Sequence, residues 1–170
     1  MKFMVITKAT KASEAGVMPT TEQIMAGMAY HEEMIKAGVL LAAEGVYPSS
    51  KGARVKFSGT KRTVTDGPFT ETKELVAGFW LLQTRSREEA IEWVKRMPDF
   101  GQDGEEIEIR QVFAAEDVAA TFDPAVSERL GQVHEMAAEH ADKRGDLQAA
   151  AELKREAQEN KRHARSGGSR

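Results

Sequence analysis

The chain has 170 residues, 41% of them apolar, with 27 acidic and 24 basic side chains, a net charge of −3 and no cysteine. That length holds one domain and an appendage rather than two ordinary domains. The near balance of charge excludes a polyanion footprint over the whole surface, and the lack of thiols excludes a disulfide framework and thiolate chemistry.

The N-terminal MKFMVITK reads as a strand. It lacks the long apolar run and small-residue cleavage site of a signal peptide, and no apolar run nears the ~20 residues of a membrane span. A soluble, cytoplasmic protein without membrane contact is expected, and nucleic acid is not an expected partner. FMVIT (3–7) is short and β-branched, which marks strand one. The following KATKASEAGVMP reads as a loop. Thr20 and Gln23 fit a capping box, in which each side chain satisfies a backbone N–H at a helix start. Ile24, Met28, His31 and Ile35 recur at helical spacing, with Met34 adjacent, so they are expected to form the buried stripe. Gly38 stands where a left-handed residue ends a helix. VLLAAEGVYP (39–48) reads as a second strand. ARVKF and KRTVT, joined at Ser58-Gly59, read as a polar hairpin. LVAGFWLLQT (75–84) is the most strand-like run. Ser86 and Glu89 suggest a second capping box, Ala90, Trp93, Val94 and Met97 a second buried stripe, and Pro98 its stop. IEIRQVF (107–113) closes the series.

Strand, helix, strand, hairpin, strand, helix, strand is the split βαβ, or ferredoxin-like, pattern with an inserted hairpin. The expected class is therefore α+β, with both helices on one face of an antiparallel sheet. A half-solvated strand alternates apolar and polar residues. Residues 75–82 do not: Leu75, Ala77, Phe79 and Leu81 fall on one face, and Val76, Gly78, Trp80 and Leu82 on the other. Strand one repeats this, with Phe3 and Val5 against Met4 and Ile6. Two helices cover one face, so something else must cover the second. A second copy of the chain, sheet against sheet, is the expected cover. A C-terminal segment folded back on its own sheet is the alternative. The sequence does not say which face Trp80 joins.

From residue 116 the composition turns to Ala, Glu, Lys and Arg. Three parts are expected: a core over 1–115, a helical extension over 116–165 and a disordered tail over 166–170. Asp123-Pro124 starts a helix. Val126, Leu130, Val133, Ala137 and His140 make its expected stripe. Gly145-Asp146 is a stop and a new N-cap, followed by a weaker stripe of Leu147, Ala150, Leu153 and Ala157. His134 and His140 are six apart and make no one-turn ligand pair, so no metal site is expected there. Residues 154–170 hold six basic and two acidic residues; such a helix end is either solvated or docks on an acidic partner.

YHEEMIKAGVLLAAEGVYPSSKGARVKF, TDGPFTETKELVAGFWL and SREEAIEWVKRMP occur in this order. Together they resemble the DGPF branch of the YCII-related family, over roughly residues 1–113. The resemblance implies a ferredoxin-like fold, paired into a dimeric α+β barrel, and a cleft for a small molecule. Many such bacterial proteins are encoded near extracytoplasmic-function sigma factors. Other branches carry a proposed catalytic His on the first helix and an Asp before a Pro near the end of the second. Here the matching positions are near Gly27 and at Met97-Pro98-Asp99, so that pair does not transfer. What the resemblance carries over is Asp66, Gly67, Pro68 and Phe69, with Glu71, Lys73 and Glu74 beyond them.

Each of these also has a plain structural reading. Asp-Gly-Pro makes a turn without any ligand. Glu71, Lys73 and Glu74 suit a solvated strand end, although clustered carboxylates also shift one another's proton affinity. His31 is the one histidine of the matched segment. It is either a core residue with one hydrogen bond or a general base at the helix–sheet cleft. The candidate catalytic residues are thus Asp66 and His31, with Arg54, Phe69, Glu71, Lys73 and Glu74 for substrate, and no cofactor or metal. Two functions stay open. One is an enzyme of lyase, isomerase or oxygen-transfer type on a small organic molecule. The other is a non-catalytic ligand sensor or regulatory partner, whose C-terminal helices meet a protein such as a sigma factor. Fold alone does not decide between them.

Overall fold

A computed structural model describes residues 1–70, 74–98, 106–114, 117 and 122–166. The chain divides into two compact units, Met1–Val112 and Phe113–Arg170.

The first unit runs β1 (Lys2–Lys8), α1 (Lys11–Glu14), α2 (Thr21–Lys36), β2 (Leu40–Gly45), β3 (Ala53–Ser58), β4 (Lys61–Asp66), β5 (Val76–Gln83), α3 (Arg87–Lys95) and β6 (Ile107–Gln111). Four strands form one antiparallel sheet in the order β2-β5-β1-β6, and β3 and β4 pair separately as a ribbon. This is the split βαβ order expected of the sequence, with the hairpin between its second and third strands. The short α1 falls where a loop was expected. Thr10 and Ser13 cap it reciprocally, a pattern hidden in a polar stretch.

Caps explain where the other helices begin. Thr20 and Gln23 form the expected box. At α3 only half of the expected box exists. Ser86 Oγ accepts the Glu89 N–H at 3.2 Å. The Glu89 carboxylate turns instead to the Arg85 backbone N–H at 2.8 Å and its guanidinium at 3.1 Å, and those bonds hold its proton affinity down. Gly38 ends α2 at φ 69°, where any Cβ is penalised.

Register sorts the sheet's two faces. Phe3 lies opposite Leu82 and Val5 opposite Trp80, so these four share a face. That is the face both helices cover: Val5, Tyr30, Met34, Val39 and Leu82 are buried together, with Trp80, Trp93, Val94, Met97, Ile107 and Ile109 packed around them. Each fully buried large side chain contributes about 1.5–3 kcal/mol. The opposite face carries Met4, Ile6, Phe79 and Leu81, all half-buried. Trp80 is therefore a helix-side residue. The second helix stripe, Ala90 to Met97, packs as its spacing requires. The first does so only in part: Met34 is buried and His31 half-buried, but Ile24, Met28 and Ile35 are exposed, and Tyr30 is buried in their place. The helix is rotated by about one residue, because the Tyr30 hydroxyl reaches the Trp93 carbonyl of α3 at 2.6 Å.

The second unit is a helical hairpin, α4 (Pro124–Lys143) and α5 (Leu147–Ser166). Asp123 accepts the Ala125 N–H at 2.8 Å, with Pro124 in the first turn, and Asp146 caps α5 through the Ala149 N–H at 3.0 Å. Its seam differs from the expected stripe. Ser127, Gly131, Ala138 and Ala141 of α4 are buried against Ala150, Ala157 and Asn160 of α5, while Val126 and Val133 stay exposed. The backbones approach so closely that a Cβ on Gly131 would lie 3.1 Å from the Ala157 carbonyl oxygen. Ion pairs Lys154–Asp142 and Lys161–Glu135, both at 2.6 Å, clip one edge. Of the tail, Ser166 is the last residue of α5, and 167–170 lie outside the described residues.

Candidate functional site

The helix–sheet seam places His31 beside an aromatic group. Trp80 Nε1–H donates to His31 Nε2 at 2.7 Å, and the two rings meet edge to face at 6.1 Å. Tyr30 stands 6.3 Å from His31 and 6.5 Å from Trp93, centroid to centroid. An indole N–H can only donate, so Nε2 must accept and the ring proton sits on Nδ1. Burial lowers the His31 pKa from its ordinary value, which agrees with a neutral ring. Burial likewise raises the Tyr30 phenol, offset by Arg96. Val5, Tyr30, Met34, Trp80, Leu82, Val94 and Met97 enclose a small apolar void of about 10 Å³. His31 thus points toward the sheet, as its position on the helix suggested. Its protonation runs against a general-base role: the lone pair is occupied, and the free chemistry is donation from Nδ1. The sequence could not show this, because Trp80 lies 49 residues away.

The second cluster is the DGPF turn. Gly67 N–H donates to the Gly52 carbonyl at 3.0 Å, closing the base of the β3–β4 ribbon. A Cβ on Gly67 would sit 1.8 Å from the Ser49 carbonyl oxygen, so glycine is required by close backbone approach. The Gly67–Pro68 peptide is cis. Phe69 N–H donates to Ser49 Oγ at 3.0 Å. Ser49 in turn gives its N–H, at 3.0 Å, and its hydroxyl to the Glu14 carboxylate. Arg54 lies over the Phe69 ring at 4.1 Å. Glu14 and Ser49 were not singled out by the sequence, since their spacings of 35 and 20 residues form no motif.

Of the sequence candidates, Arg54 and Phe69 are brought together. Asp66 ends β4 opposite Ala53, with its side chain exposed, and Glu74 is exposed before β5. Glu71 and Lys73 lie outside the described residues. His31 belongs to the aromatic group and Asp66 to the ribbon base, and no contact among the described residues joins them. Nor do the described residues group three His, Asp or Glu side chains that could hold a metal. No described helix is long and apolar enough to cross a membrane.

A four-stranded antiparallel sheet in this order, with two helices on one face, defines a ferredoxin-like α+β protein. The YCII-related domain matches residues 1–116, and the chain belongs to that family. An uncharacterized protein of Rhizobium meliloti is 29% identical over 90 residues, 52% of this chain and 73% of the relative. Among solved structures, the 5-chloro-2-hydroxyhydroquinone dehydrochlorinase TftG of Burkholderia phenoliruptrix, complexed with 2,5-dihydroxybenzoquinone, is 17% identical. It covers 68% of this chain and 98% of its own at a TM-score of 0.38. A score that low transfers neither ligand nor chemistry to this chain.

Proposed function

We propose that the first unit binds a small organic molecule with an apolar body and an oxygen acceptor, and that His31 orients it by donating from Nδ1. The Trp80–His31 hydrogen bond carries this reading. It fixes tautomer and ring angle before any ligand arrives, and such preorganisation strengthens a single donor. Tyr30, Trp80 and Trp93 supply the apolar wall. Asp66, Arg54, Phe69 and Glu74 form a second, polar contact region at the turn, in which Arg54 holds an anionic group; Glu71 and Lys73 follow Phe69 in the sequence as further substrate-binding candidates. A donor that polarises a carbonyl and a carboxylate that takes a proton suit a lyase or isomerase. The unit acts as a homodimer, with Met4, Ile6, Phe79 and Leu81 covered by the same face of a second copy.

A thermal-shift screen of small phenols, ketones and carboxylic acids tests this. At least one class should raise the melting temperature of the wild type and lose that effect with His31→Ala. No hit, or hits that survive His31→Ala, would refute it. Mass spectrometry of a hit then separates the two functions: a changed molecule identifies an enzyme, an unchanged one a sensor. One observation favours the sensor, in which the second unit meets a regulatory protein such as a sigma factor. Ala125, Val126, Leu130 and Val133 line an open apolar groove on α4, rimmed by Arg129.

A further inference from the structure

A two-stranded ribbon with nothing packed on it is at best marginally stable in water. The β3–β4 ribbon is of that kind, since every residue of both strands is exposed. Yet its base is firmly held, by the Gly67–Gly52 hydrogen bond and by Arg54 on Phe69. Val55 lies opposite Val64 and Phe57 opposite Arg62, so Val55, Phe57 and Val64 share one face. They are 50%, 70% and 63% exposed. Arg54, Lys56 and Lys61 share the other face with Thr63 and Thr65. Residues 51–66 hold five Lys or Arg and one Asp, whereas the rest of residues 1–112 holds ten Lys or Arg and fifteen Asp or Glu. The ribbon is a positive, half-apolar projection on an otherwise negative unit.

The same unit offers a matching surface. On α2, Ile24, Met28 and Ile35 are 44%, 56% and 62% exposed, and the helix carries Glu22, Glu32 and Glu33. Ile24 to Ile35 spans about 16 Å along a helix, and a six-residue strand spans about 17 Å. Methionine adapts to an incoming surface better than branched side chains do. We infer that the β3–β4 ribbon is an arm that lays its apolar face along the α2 stripe of a second copy of this chain, with Arg62, which stands opposite Phe57 on that same face, against that helix's carboxylates. A two-fold axis makes the contact reciprocal. The contact goes beyond the sheet-to-sheet pairing and does not depend on it. A polyanion such as nucleic acid would engage the cationic face but leave the apolar one uncovered.

The chain has no cysteine, so Val64→Cys creates a unique attachment point for a benzophenone maleimide. Labelled chains are mixed with heavy-isotope chains, illuminated and mapped by mass spectrometry. The expected cross-links join position 64 of one chain to residues 24–35 of another. Adding Met28→Asp and Ile35→Asp to the acceptor chain, both at exposed positions, should cut the yield at least tenfold with unchanged circular dichroism. Cross-links within one chain, cross-links to any other surface, or a signal that appears only with added duplex DNA would overturn the inference. Light scattering on the same samples separates it from the sheet pairing. A dimer with no cross-link from position 64 to α2 removes the arm contact and leaves the sheet contact standing.

Discussion

Gly67→Ala is the sharpest test of how the turn is built. The new Cβ would lie 1.8 Å from the Ser49 carbonyl oxygen and 2.6 Å from its carbon, both backbone atoms, where ordinary contact begins at 3.4 Å. The two segments must therefore separate by about 1.6 Å. Two hydrogen bonds of 3.0 Å span that junction, Gly67 N–H to Gly52 O and Phe69 N–H to Ser49 Oγ, and neither survives such a stretch. At about 1 kcal/mol for each lost bond, plus about 1–3 kcal/mol of overpacking, the change should cost roughly 3–5 kcal/mol. For a unit of this size that lowers the melting temperature by about 10–20 °C. Gly52→Ala is the control: its Cβ would sit at 3.4 Å from the same oxygen and 3.8 Å from Phe69, an ordinary contact worth less than about 1 kcal/mol. Calorimetry on both variants decides. Equal melting temperatures would refute the close-approach account of the motif.

Other perturbations probe the remaining features. The folded-state pKa of His31 lies below its ordinary 6.5, so the unfolded chain takes up the proton first. Stability should be full above about pH 6.5 and fall as pH drops toward the folded-state pKa, whereas His31→Gln flattens that slope in urea titrations across pH 5–8. Leu81→Glu places a charge on the sheet face opposite α2 and α3 and should weaken dimerisation at least about a hundredfold, or ~2.7 kcal/mol; light scattering that finds an unchanged dimer rejects the sheet pairing. Truncation after Ala115 should leave a cooperatively melting core, because Met1–Val112 is a compact unit that β6 closes through Val112 N–H to the Lys2 carbonyl at 2.8 Å. A molten truncate would show that the core needs the helical hairpin.

Strand order, hairpin placement, the α2 capping box and the second helix's buried face were legible because each rests on local chemistry. Thr20 with Gln23, or the unbroken apolar run of β5, involves only a few neighbouring residues. The site was legible only as a neighbourhood. His31 was marked, but its tautomer depends on a tryptophan 49 residues away. Asp66 drew notice as a charge, yet the turn's purpose lies in Gly67 against Ser49 and in Ser49 against Glu14. The two helix faces that were misassigned share a cause. On α4 the hydrophobic residues Val126 and Val133 mark one stripe, but close backbone packing selects Ser127, Gly131 and Ala138. On α2 the same scale favours Ile24, Met28 and Ile35, while a tyrosine that bonds a carbonyl across the interface wins the core. In both cases the apolar stripe is real, and the mistake was to assign it to the chain's own interior. A stripe at helical spacing records that something covers that face. When the fold fills its core with other residues, the leftover stripe is information about an interface. That is why α2 is the surface on which a second copy's arm should be sought.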